Sequence, residues 1–217
     1  EIADICRRHR ILLILDEVMA GCGRSGTYFA FEQEQVVPDI VTVAKGLGGG
    51  YQPIGAVIAR ADIVDTVVDE FGHFSHGHTY VGHPTACAAA VAVGQVIDDD
   101  GLLENVRSMG ALLRERLAAA LCDHPHVGDI RGRGLFVGIE LVTDRATNGA
   151  PRAELGLPQR LRDDAMRHGL ICYPGGGSAD GQNGAHILLA PPFIYSSDNV
   201  DELVMRLGRV LDGLRLG

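Results

Sequence analysis

One lysine stands among the 19 basic residues of the chain, and the other 18 are arginines. This residue, Lys45, follows the apolar run IVTV at residues 40–43 and precedes the stretch GLGGG at residues 46–50. A desolvated lysine ammonium can lose its proton and attack a carbonyl carbon, whereas a guanidinium keeps its charge. We therefore predict that Lys45 is a nucleophilic amine at the end of a strand. The alternative is a surface lysine that codon bias has left in place.

A carboxylate holds the same kind of position after another apolar run. Asp16 follows ILLIL at residues 11–15, a run typical of strands buried inside a parallel sheet. Such a carboxylate is expected to be desolvated unless a cation pairs with it. Because ligands gather at the carboxyl ends of parallel strands, Asp16 and Lys45 are expected to face one cavity. The alternative is a structural carboxylate that caps a helix or pairs with an arginine.

An amine and an acid together can serve both ends of a pyridine aldehyde. The amine binds the aldehyde, and the carboxylate pairs with the protonated ring nitrogen. Pyridoxal phosphate has this chemistry, and we predict it as the cofactor of Lys45 and Asp16. The glycines after Lys45 let the backbone turn sharply and leave room near the ring. They do not form a P-loop, because no Lys-Ser/Thr pair follows them.

A loop rich in histidine and glycine covers residues 72–83 and contains four histidines. No cysteine or acidic residue with zinc-type spacing lies nearby, so we predict no metal site and expect the histidines to form hydrogen bonds.

Thr79 lies in the same loop, where a hydroxyl beside glycines can bind a phosphate oxygen. The alternative for Thr79 is a simple turn hydroxyl. Farther along, Arg131 and Arg133 are each a candidate clamp for a substrate carboxylate. The alternative is surface charge, which we expect for Arg133.

Apolar runs separated by helical patterns indicate an α/β fold with two domains. Three short runs predict strands in the first part, at residues 11–15, 40–43 and 54–58, with helices at residues 60–70 and 84–93. The polar break DDDG at residues 98–101 marks the predicted boundary, which gives domains at residues 1–98 and 99–217. The second part is predicted as a small α+β domain, with helices at residues 102–121 and 158–168, strands at residues 135–142 and 186–190, and a final helix capped by Asp198.

Composition excludes several classes of function. The net charge is −9 without a basic cluster, which argues against nucleic-acid binding. Apolar runs fall far short of the about 20 residues that span a membrane. The five scattered cysteines are typical of reduced thiols in a cytoplasm. Residues 1–10 have the character of the last turns of a helix, so we expect the C-terminal part of a longer protein.

Five sequence blocks together resemble one known family. They are LILDEVMAGCGRSG at residues 13–26, PDIVTVAKGLGGGYQPIG at residues 38–55, HGHTYVGHP at residues 76–84, RGRG at residues 131–134 and APP at residues 190–192. The first two blocks are highly specific, and the last two are weak alone. The chain resembles a class III (ornithine/ω-amino acid type) aminotransferase of the fold-type I pyridoxal-phosphate family. The resemblance implies part of the large sheet domain of that fold followed by its small C-terminal domain.

The resemblance also implies roles for individual residues. Lys45 would be the Schiff-base lysine, Asp16 the partner of the pyridine nitrogen, and Thr79 a ligand of the cofactor phosphate in the neighbouring subunit. The expected assembly is a homodimer or homotetramer that takes an amino donor and a 2-oxo acid acceptor. The role of Glu17, which is adjacent to Asp16 in the motif, is not defined by the resemblance.

Two departures from the family pattern limit these implications. Leu188 stands where many members that act on α-carboxylates have an arginine, so selectivity for amino acids is not implied. The N-terminal half of the family, with its phosphate loop and its stacking aromatic ring, has no counterpart in these residues. Two alternatives therefore remain: a class III relative that acts as an aminomutase, racemase or decarboxylase, and a non-catalytic fragment that needs a partner.

Overall fold

The computed structural model describes residues 1–216, which form two compact units. The first unit is Glu1–Leu103, and the second begins at Glu104. In the described residues the helices are α1 (Ile2–His9), α2 (Ala61–Phe71), α3 (Pro84–Asp99), α4 (Leu102–Leu121), α5 (Leu157–Arg167) and α6 (Ser197–Asp212). The strands are β1 (Ile14–Asp16), β2 (Ile40–Val43), β3 (Ala56–Ala59), β4 (Val127–Arg133), β5 (Phe136–Leu141), β6 (Tyr173–Gly176) and β7 (Ala185–Leu189). Among residues 1–216, none of the helices is both long enough and apolar enough to cross a membrane.

The first unit is built on a three-stranded sheet in the order β1-β2-β3. β1 and β2 are parallel, with Asp16 opposite Thr42, and β3 runs antiparallel to β2. Val41 and Val43 of the central strand are buried together with Cys22, and they form the small core of the unit. The sheet therefore brings the carboxyl ends of β1 and β2 to one edge.

The predicted burial of residues 11–15 is wrong. Regular strand begins at Ile14, and the side chains of Ile11, Leu12 and Ile14 are each more than half exposed. β1 is an edge strand with one neighbour, so its apolar side chains lack the packing partners that a buried strand has on both faces. Apolar composition alone does not distinguish a strand at the edge of a sheet from one buried inside it.

The second unit has an antiparallel sheet in the order β4-β5-β7-β6 and a larger core. Leu113 and Leu117 of α4, Ile139 of β5, Ile187 of β7 and Leu207 of α6 lie at its centre with essentially no exposure. β5 alternates half-buried and buried residues, as the sequence predicts. The sequence prediction missed β4 and β6, which contain glycines that weaken the strand pattern.

The helix ends follow local capping chemistry. α3 begins at Pro84 as predicted, and His83 caps it through Nδ1, which accepts a hydrogen bond from Ala86 N at 3.4 Å. The predicted cap of the last helix by Asp198 is wrong, because Ser196 is the N-cap of α6. Ser196 Oγ accepts from Asn199 N, and Asn199 Oδ1 accepts from Ser196 N, which forms a capping box.

The second unit also gives a matched pair of glycine substitutions. A Cβ at Gly110 of α4 would overlap the backbone carbonyl of Gly134, whereas a Cβ at Gly208 of α6 would have open space around it. We expect Gly110→Ala to destabilise the chain by about 2 kcal/mol through overpacking. Gly208→Ala should stabilise it by up to about 1 kcal/mol through helix propensity. Urea unfolding followed by circular dichroism measures both. Equal stability of the two variants would contradict the close helix–turn packing.

Candidate active site

Asp16 and Lys45 lie at the same edge of the first unit's sheet. Asp16 is the last residue of β1, and Lys45 comes two residues after the end of β2. The two strands are parallel neighbours, so these positions follow from the register that pairs Asp16 with Thr42. Both side chains are exposed. The prediction that Asp16 is desolvated is wrong, because its strand β1 lies at the edge of the sheet.

A strained turn presents Lys45. Its φ is +42°, in the left-handed region that non-glycine residues seldom adopt, and a 3-10 turn spans Lys45–Gly48. Gly49 and Gly50 also have positive φ, at 56° and 83°, and a Cβ at Gly48 would lie 2.9 Å from Ile54 Cγ2. The glycines are therefore required by the backbone path, as the sequence predicts. Strain of about 1–3 kcal/mol at such a residue is typical of functional sites.

The amine of Lys45 contacts a thioether. Lys45 Nζ lies against Met19 Sδ, and within residues 1–216 no carboxylate forms an ion pair with this amine. Met19 is on the turn that follows β1, three residues after Asp16. The sequence reasoning did not single out Met19, although it lies inside the first family motif.

Asp16 has one hydrogen bond and no cationic partner in the part of the chain that the structure describes. Its Oδ1 accepts from Val18 N at 2.9 Å, which leaves the rest of the carboxylate open. The alternative of a structural pair with an arginine is therefore not observed. A carboxylate that is held by its own turn and faces solvent can accept a proton donor from a ligand.

Glu17 has a structural role that the sequence left undefined. Its carboxylate is 4% exposed and accepts from Ala30 N and Phe31 N, each at 3.0 Å. Its backbone N donates to Thr42 O at 2.9 Å, which continues the pairing of β1 with β2. Glu17 thus ties the segment that follows β1 to the sheet. The sign of this role in the sequence is the position of Glu17, which directly follows Asp16 inside the first family motif.

Burial shifts the pKa of two side chains in the segment that follows β1, Cys22 and Arg24. The pKa of the Cys22 thiol is raised, first by desolvation and second by the negative charge of Glu17. Cys22 therefore remains a thiol and is a poor nucleophile. Burial lowers the pKa of Arg24 to about 10, which still leaves it cationic at neutral pH.

Thr79 lies in the exposed loop between α2 and α3. No hydrogen bond of its hydroxyl is present within residues 1–216, so its phosphate role stays a prediction. In the same loop, the rings of His76 and His78 meet edge to face with centroids 5.0 Å apart. Within residues 1–216, no group of three or more His, Cys, Asp or Glu side chains is placed to hold a metal ion.

The candidate carboxylate clamp is already paired. Arg131 Nη1 donates to Asp129 Oδ2 and to Glu140 Oε2, each at 2.7 Å. These bonds, led by the one to Asp129, raise the pKa of Arg131. The observed surface ion pairs favour the alternative of structural charge. Leu188 lies on β7 between Gly138 of β5 and Tyr173 of β6, and it places an apolar side chain there.

Comparison with known proteins gives consistent matches along the chain. The family model for aminotransferase class-III matches residues 1–211. An uncharacterized aminotransferase of Schizosaccharomyces pombe is 42% identical over 207 residues, which are 95% of this chain and 45% of that protein. A solved Bacillus anthracis aminotransferase is 35% identical with a TM-score of 0.89, covering 98% of this chain and 47% of the other. An (S)-enantioselective omega-transaminase from Thermomicrobium roseum is 37% identical with a TM-score of 0.88, covering 97% and 45%. These structures confirm the predicted α/β fold.

The chain spans less than half the length of the relatives it matches. Its alignments cover between 36% and 46% of eight curated relatives. The site described above therefore contains no residues that correspond to the unaligned parts of these relatives.

Proposed function

Because the chain belongs to the class III aminotransferases, as its motifs predict, we propose that it provides the catalytic amine of a pyridoxal-phosphate-dependent transaminase. The reaction would move an amino group from an amino acid or amine to a 2-oxo acid. One observation carries this proposal: the sole lysine of the chain and Asp16, which has no cationic partner within residues 1–216, lie at the carboxyl ends of adjacent parallel strands.

The donor set fits the cofactor. Lys45 is an exposed amine without an acidic partner within the described residues, so it is available to bind an aldehyde. Asp16 is an exposed carboxylate that keeps acceptor capacity beyond its bond to Val18 N, which suits a protonated ring nitrogen. When bound, pyridoxal phosphate supplies an electron sink for the carbanion that forms at the substrate carbon.

Lys45 and Asp16 would then have separate roles. Lys45 would hold the aldehyde of the cofactor, and its Nζ would remove and return a proton at the substrate carbon as a general base and acid. Asp16 would keep the proton on the ring nitrogen through its negative charge. Thr79 would bind the cofactor phosphate in a neighbouring subunit, which requires a homodimer or homotetramer.

The substrates and the setting are part of the same proposal. The family relationship suggests an amino donor and a 2-oxo acid, and the named relatives include gamma-aminobutyrate transaminases and an omega-transaminase. The apolar Leu188 does not supply a cation for an α-carboxylate. We keep the division into a cofactor-binding domain at residues 1–98 and a small domain at residues 99–217. The five free cysteines suit a reducing compartment such as the cytoplasm.

A second candidate function is a subunit that becomes active with a further polypeptide. Eighteen of the 23 exposed large hydrophobic residues among those described lie before residue 104, and they include Ile14 of the sheet edge and Val57 and Ile58 of β3. Exposed apolar side chains on a short sheet favour covering by another chain or segment. The relatives are more than twice as long as the matched part, and the family sequence that this chain does not match would supply such a cover.

Product analysis separates these candidates. The chain is incubated with pyridoxal phosphate, an amine or amino-acid donor and pyruvate, and we expect alanine to form while the donor is converted to its oxo product. A racemised donor or released carbon dioxide without alanine would instead favour one of the other class III reactions. Gel filtration is run in parallel, with and without cofactor. A colourless monomer that forms no product would contradict a self-sufficient transaminase and support the partner-dependent candidate.

A further inference from the structure

Met19 is the side chain that contacts the reactive amine of the chain. Its Sδ lies against Lys45 Nζ, and the residue is 42% exposed. A thioether sulfur is a weak hydrogen-bond acceptor. The state of this sulfur therefore decides what kind of group faces Lys45.

The four methionines of the chain differ in surroundings. Met109 packs partly buried against the core of the second unit, and Met166 is 60% exposed on α5. Met205 is also exposed, and its Sδ accepts a contact from Arg209 Nη2 at 3.6 Å. Met19 alone among them is both exposed and in contact with a lysine amine in the described structure. Met166 is thus a matched control for oxidation without an amine neighbour.

We propose that Met19 is an oxidation site whose sulfoxide suppresses the reactivity of Lys45. A peroxide transfers one oxygen atom to Sδ: its O–O bond breaks, an S–O bond forms, the sulfur is oxidised by two electrons, and the peroxide is reduced to water or an alcohol. The exposure of Met19 gives a peroxide access to the sulfur. Thiol-dependent methionine sulfoxide reductases reverse this step.

The sulfoxide changes the chemistry at the amine. Its oxygen is a strong hydrogen-bond acceptor and would replace the weak thioether acceptor beside Lys45 Nζ. A hydrogen bond to the charged form favours that form, so the fraction of free amine falls. Since the free amine is the nucleophile, aldehyde binding and acylation both slow down. The consequence for transamination rests on the role proposed for Lys45, but the loss of amine reactivity does not.

Lys45 acylation tests the inference directly, because the chain contains one lysine. Protein is treated with hydrogen peroxide, sulfoxides are located by peptide mass spectrometry, and acetylation of the Lys45 peptide by an N-hydroxysuccinimide ester is timed. We expect acylation to slow about tenfold in the treated wild type, the low end of the scale for one hydrogen bond to a charged group. Met19→Leu should show no slowing by peroxide, although it retains all five cysteines. Met166→Leu should behave like the wild type.

A substitution at position 19 provides a second measurement that needs no peroxide treatment. Met19→Gln places an amide acceptor beside Lys45 and should slow acylation without any oxidant, whereas Met166→Gln should not. Unchanged Lys45 acylation in wild type that carries Met19 sulfoxide would overturn the proposal, as would oxidation of Met166 while Met19 stays reduced. Borohydride trapping of pyridoxal phosphate on untreated wild type reports separately on the proposed function. Its failure would leave the acylation result interpretable.

Discussion

Replacement of Lys45 by arginine is expected to abolish covalent capture of pyridoxal phosphate by the chain. Arginine keeps the positive charge at the end of β2 but offers no amine that can bind an aldehyde. Wild type treated with pyridoxal phosphate and borohydride should carry the label on the peptide that contains Lys45, and the variant should carry none at position 45. The transamination rate should fall by about 10⁴-fold, the upper range for a positioned acid–base group.

A relocated lysine is the control for this experiment. Arg8 is exposed on α1, so the double variant Lys45→Arg with Arg8→Lys again contains one lysine, but on a different surface. We expect its label to stay at the level of a generic surface amine. If the relocated lysine is captured as efficiently as Lys45, labelling reflects amine chemistry in general and the assignment of Lys45 fails.

The placement of Asp16 and Lys45 was predictable because it depends on short-range signals. Apolar runs predict the strands, and parallel neighbours bring their carboxyl ends together whatever the rest of the chain does. The glycines after Lys45 were predictable for the same reason, since positive φ at Gly49 and Gly50 is a local requirement.

Exposure was not predictable in the same way. Whether Ile14 is buried depends on what packs against β1, and an apolar run has the same composition at a sheet edge as at its centre. The sequence also did not predict the contact of Met19 with Lys45, or the two hydrogen bonds that the Glu17 carboxylate accepts from Ala30 N and Phe31 N. They depend on how one turn folds back beside another, and spacing along the chain does not encode that path.

The Asp16→Asn variant is expected to keep the captured cofactor and lose most of its turnover. The amide oxygen of asparagine can still accept from Val18 N, so the turn after β1 should be retained. Asparagine carries no negative charge, so the ring nitrogen loses the partner that keeps it protonated. We expect the rate of the amino-donor half-reaction to fall about a hundredfold or more, the scale for removal of one preorganised electrostatic partner. Borohydride trapping at Lys45 should remain near the wild-type level.

Asp39 offers a matched structural carboxylate in the same unit. Its Oδ2 accepts from Leu13 N at 2.7 Å, its other oxygen pairs with Arg60, and the bond from Leu13 leads the effects that lower its pKa. Asp39→Asn removes the same charge next to the same sheet, so it should weaken folding but leave the half-reaction of the folded protein near wild type. Asp16→Glu should restore part of the lost rate because it restores the charge. A wild-type rate in Asp16→Asn, with Lys45 still labelled, would mean that another group protonates the ring and that Asp16 acts only as the acceptor of its own turn.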